Sequence, residues 1–81
     1  MTSRQKQRQR IEHNPSSVRF RQLDNLLRSA SFVGEQEGTS HVVYRHASGR
    51  RVVVARPHGT GFVKPVYVRA ALAAIRDVEV N

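Results

Sequence analysis

The chain has no cysteine and no tryptophan, only five aromatic residues, and six carboxylates in 81 residues. Without cysteine there is no disulfide to staple the fold and no thiolate to act as nucleophile or ligand. Packing alone must hold the chain, and a cytoplasmic setting is expected. Scarcity of Asp and Glu argues against two-metal hydrolysis, which needs several clustered acids. No run of 18 apolar residues occurs, and the basic start MTSRQKQRQR leads into no apolar segment, so neither a membrane span nor a secretory signal is expected. A chain this short buries roughly 60–65% of its unfolded surface, which leaves room for one small core.

Positive charge is abundant. Fourteen Lys and Arg against six Asp and Glu give a net charge of +8, and twelve of the fourteen are arginine, the better bidentate binder of phosphate. Polyanions are the natural partners. Nucleic acid is favoured over a membrane surface because no basic amphipathic helix with bulky aromatics is present, and an acidic protein would suit the same charge.

Residues 1–13 carry Arg4, Lys6, Arg8 and Arg10 among glutamines, with no apolar side chain between Met1 and Ile11. Nothing there can be buried, so a disordered basic tail is expected, either an arm along a phosphate backbone or a solubilising extension. From Arg19 the spacing of Phe20, Leu23, Leu26, Leu27 and Ala30 predicts a helix over about 19–30, with Ser16 and Ser17 as N-cap candidates and Gly34 beyond its end. After the weakly patterned 32–37, a β-branched strand is predicted over 41–46, then a hairpin loop at Ala47–Arg50 and a returning strand in RRVVVA. Pro65 suits the first turn of a last helix with Val68, Leu72 and Ile75 on one stripe, and 77–81 reads as a fraying tail. The expected architecture is α+β, of order α-β-β-β-α. A three-stranded antiparallel sheet buries one face under two helices and leaves the other wet.

Chemistry centres on His41. Strand alternation places His41, Val43 and Arg45 on one face and Val42, Tyr44 and His46 on the other. If the first face is the wet one, an imidazole stands beside cations, and such a group can move the proton of an RNA 2′-hydroxyl. Otherwise His41 is an ordinary surface or hydrogen-bonded histidine. Ser40 cannot form a triad with it, because adjacent strand residues point to opposite faces and no carboxylate is placed to orient the ring. His41, His46 and His58 match no zinc spacing, so no metal is expected. The segment RPHGTGFVK is basic and glycine-rich but has no phosphate-loop pattern, so no cofactor is implied; it is a connection or a phosphate contact. Tyr44 and Phe62 either stack on bases or belong to the core.

The stretches VRFRQLDNLLRSASF, GTSHVVYRHASGRRVVVARPH and KPVYVRAALAAI together resemble the HicA family of toxins from bacterial toxin–antitoxin pairs. The resemblance covers about residues 14–76. It implies a double-stranded-RNA-binding-domain-like fold and a type II toxin that cleaves mRNA as a metal-independent endoribonuclease. It also implies a HicB-type antitoxin partner that covers the active face. The family's Gly-Ser-His motif falls on Ser40-His41, followed by Val42-Val43, Tyr44 and Arg45-His46, so the catalytic role carries to His41. Pro57-His58 and Lys64-Pro65 are softer matches, and Thr39 stands where the family has glycine. Ser40, Arg45, Arg50, Arg51 and Lys64 are the candidate RNA-contacting residues. A non-catalytic RNA-binding module or an inactive toxin homologue is the alternative.

Overall fold

The computed structural model describes residues 3–38, 40–59 and 61–79. The elements are α1 (Ser3–His13), a 3-10 turn at Pro15–Ser17, α2 (Phe20–Ser29), β1 (Val33–Glu37), β2 (His41–Arg45), β3 (Arg51–Ala55) and α3 (Pro65–Glu79). The strands form one antiparallel sheet in the order β1-β2-β3, so the α+β expectation holds. Val42 and Tyr44 pair with Val54 and Val52, and these four pack on Leu23, Leu26 and Leu27 of α2 and on Val68, Ala71, Leu72 and Ile75 of α3. All are buried, and among the described residues no charged residue lies in the core.

Residues 3–13 depart from the sequence expectation: they form α1 rather than a disordered tail. Arg, Gln and Lys are good helix formers, and one apolar residue suffices to dock the helix, because Ile11 is 1% exposed within the core. Polar contacts align the rest. Arg4 Nη1 donates to the Ser29 carbonyl at 2.8 Å, Gln7 Nε2 donates to the Gln22 carbonyl at 3.3 Å, and Arg8 pairs with Glu79. The expected fraying tail is corrected for the same reason. α3 runs to Glu79, and Asp77 and Glu79 are tied to Arg50 and Arg8; residues 80 and 81 lie outside the described residues.

Both ends of α2 also differ from expectation. Ser16 and Ser17 belong to the 3-10 turn, and Gln22 Oε1 caps the helix by accepting the Arg19 N–H at 2.8 Å. At the other end Ser31, not Gly34, takes the left-handed conformation, with φ of 72°. The Phe32 N–H then bonds back to the Leu27 carbonyl at 3.0 Å, closing the helix. Gly34 has a different task within β1. A Cβ there would stand 2.6 Å from Tyr44 Cε1, so the missing side chain is the space that the tyrosine ring fills.

Candidate nucleic-acid interface

The hairpin that carries His41 is fixed at its far end by its own polar groups. The His46 N–H donates to the Arg50 carbonyl at 2.9 Å, His46 Nδ1 accepts the Ser48 N–H at 3.0 Å, and Gly49 supplies a φ of 97°. Register then follows: His41 stands opposite Glu37 on β1 and Ala55 on β3, Val43 opposite Glu35 and Val53, and Arg45 opposite Val33 and Arg51. These nine residues form the sheet face turned away from the helices. The His41–Val43–Arg45 side of β2 is therefore the outward one, with His41 and Arg45 exposed.

Val43 is only 4% exposed although it lies on that outward face. Arg45 runs beside it toward the other end of the strand, bringing Nη2 to 3.9 Å from Glu37 Oε2. A cation that starts two residues beyond Val43 thus reaches the cross-strand partner of His41. His41 itself is exposed and makes no hydrogen bond or ion pair among the described residues.

The other expected contacts separate. Arg51 is exposed beside Arg45 and its guanidinium has no partner among the described residues. Arg50 is occupied: its Nε donates to Asp77 Oδ2 at 3.0 Å and its Nη1 to the Arg51 carbonyl at 2.9 Å. Ser40 and Lys64 come together at the opposite end of β2. They line a cavity of about 310 Å³ with Ala55, Arg56, Pro57, His58, Phe62 and Tyr67. Because Ala55 is the cross-strand partner of His41, this cavity abuts the histidine's row of the sheet. The Ser40 carbonyl accepts the Arg56 N–H at 2.6 Å, which anchors the cavity loop to the start of β2.

No family model, curated protein or solved structure matches this chain.

Tyr44 is fully buried, so it is core and does not stack on a base, whereas Phe62 is 46% exposed with the Arg19 guanidinium 4.2 Å from its ring centre. Among the described residues no three His, Cys, Asp or Glu side chains converge as a metal site, and no helix is long and apolar enough to cross a membrane. Thr39 lies outside the described residues. Sequence reasoning missed Tyr67, whose position on α3 coincides with the apolar stripe. It also gave Arg56 no role, although the Nη1 of this residue donates to Gln36 Oε1 at 3.0 Å and its guanidinium sits 4.8 Å from the Phe20 ring centre.

Proposed function

We propose that this chain is a HicA-type toxin with a double-stranded-RNA-binding-domain-like fold, an endoribonuclease that cuts mRNA without a metal. The observation that carries this reading is the placement of His41: exposed on the uncovered sheet face, in the row that ends at the basic cavity. In the proposed reaction the His41 imidazole takes the proton of a 2′-hydroxyl, whose oxygen attacks the adjacent phosphorus. The 5′-oxygen leaves and takes a proton from water, while the imidazolium returns its own to solvent, giving a 2′,3′-cyclic phosphate and a 5′-hydroxyl. Arg45 and Arg51 face the charge that builds on the phosphoryl oxygens, and Lys64 holds the strand at the cavity end.

A net charge of +8 supports both mRNA and an acidic HicB-type antitoxin as partners, the antitoxin covering the His41 face. The test is cleavage of a long mRNA in EDTA by the purified chain and by His41→Ala, after circular dichroism has shown both folded. Cutting by the parent and none by the variant supports the reading; equal cutting by both removes His41 from the chemistry. A second reading, an RNA-binding module without catalysis, draws on the lack of any group hydrogen-bonded to the His41 ring to fix its orientation among the described residues. It predicts salt-dependent RNA binding with no cleavage.

A further inference from the structure

The cavity beside the His41 row adds to Lys64, which holds the strand, several groups to which the cleavage step gives no role. Its lining includes Lys64, His58, Ser40 and Tyr67, and none of these side chains has a hydrogen-bond partner among the described residues. Arg56 forms a fixed wall, held by Gln36 and stacked on Phe20. Among the described residues no carboxylate lines the cavity, so its charge favours an anion. Two aromatic residues, Phe62 and Tyr67, complete it, and the Arg19 guanidinium packed on Phe62 steadies that ring at the rim.

A cation for a phosphate, hydroxyls for a sugar and flat rings for a base describe one nucleotide, and about 310 Å³ is small enough to hold one such unit rather than a folded peptide. A base inside a duplex keeps its stacking partners and cannot lie on Phe62. We propose that this cavity is a subsite for one unpaired ribonucleotide, next to the phosphate that His41 faces, so that the chain discriminates single-stranded from double-stranded RNA. The inference rests on the RNA reading above and adds to it the form of RNA that is taken.

The experiment uses the full chain carrying His41→Ala, which keeps the RNA whole, and fluorescence anisotropy with a short labelled single-stranded RNA and with its duplex at one fixed salt concentration. Phe62 is exposed enough to be changed without opening the core, and thermal melts check that every variant folds. Phe62→Ala is expected to weaken single-strand binding about fivefold or more and to leave duplex binding within about twofold, while Phe62→Tyr restores the single-strand affinity. Lys64→Gln is expected to weaken binding and flatten its salt dependence. Parent binding to single strands that Phe62→Ala leaves unchanged, or an equal loss for both RNA forms, overturns the subsite while RNA binding stands. If the parent binds neither RNA, the proposed function falls and the subsite falls with it.

Discussion

Tyr44 of the central strand donates a 2.6 Å hydrogen bond to Asp24 Oδ1 of α2, and the same carboxylate receives the Arg28 Nε at 3.1 Å. A strand whose outward face carries His41 is thereby tied, through its inward face, to the helix beneath. Burial first, and then the hydrogen bond and the negative charge of Asp24, raise the Tyr44 pKa far above its usual 10.0.

Stability should therefore fall at high pH. The folded-state pKa of Tyr44 is raised, so its contribution is complete below pH 10.0 and is lost as pH climbs from there toward the folded value. Tyr44→Phe is expected to cost about 1–2 kcal/mol at pH 7. Urea melts at pH 7 and at rising pH above 10 should show the parent's advantage over Tyr44→Phe shrinking; a constant advantage would contradict the Tyr44–Asp24 linkage.

Ser31 occupies a left-handed position at the end of α2, where a Cβ is unfavourable. Ser31→Gly should stabilise the chain by about 0.5–1 kcal/mol, after allowance for the extra freedom of glycine when unfolded. A lower urea midpoint for the variant would mean that the Ser31 side chain carries an interaction worth more than the strain.

α1 offers a choice between two anchors. Its ion pairs, Arg8 with Glu79 and Arg76 with Glu12, are partly exposed, and such pairs contribute about 0–1 kcal/mol. Burial of Ile11 is worth more, so Ile11→Ala should cost about 2–4 kcal/mol and Glu79→Gln under about 1. Amide exchange over residues 3–13 reads the outcome directly. Fast exchange in Ile11→Ala with near-parental exchange in Glu79→Gln is expected, and the reverse order would make the helix an electrostatic clasp.

Arg50 and Arg51 are neighbours with different duties. Arg51 lies on the sheet face with no partner for its guanidinium among the described residues, so Arg51→Ala should weaken RNA binding and reduce the slope of log affinity against log salt by about 0.7–0.9. Arg50 is held by Asp77, so Arg50→Ala should lower the slope less and show mainly as a small loss of stability. Equal slopes for the two variants would mean that the Arg50–Asp77 pair opens to let RNA in.

Period and turn chemistry made α2, β2, β3 and α3 legible, because each buries a regular stripe against one core. α1 was hidden since a single buried isoleucine sets no period, and its other contacts run to backbone oxygens such as those of Gln22 and Ser29. β1 was faint for a related reason: its inward side offers Gly34, filled by Tyr44, and Gln36, so there is no apolar alternation to read. His41 could be picked out by residue type, whereas its outward direction needed the register. The cavity was less visible still, because Ser40 and Tyr67 meet only when the end of β2 and the first turns of α3 come together.

Among the described residues β1 pairs with β2 alone, so one side of its backbone is a row of donors and acceptors that another strand could extend. Glu35 lies at its centre and Glu37 at its end. A second copy approaching antiparallel and centred on Glu35 would bring carboxylate against carboxylate. Like charges meeting there work against two molecules sharing a sheet, so the glutamates of β1 act as a guard on the open edge.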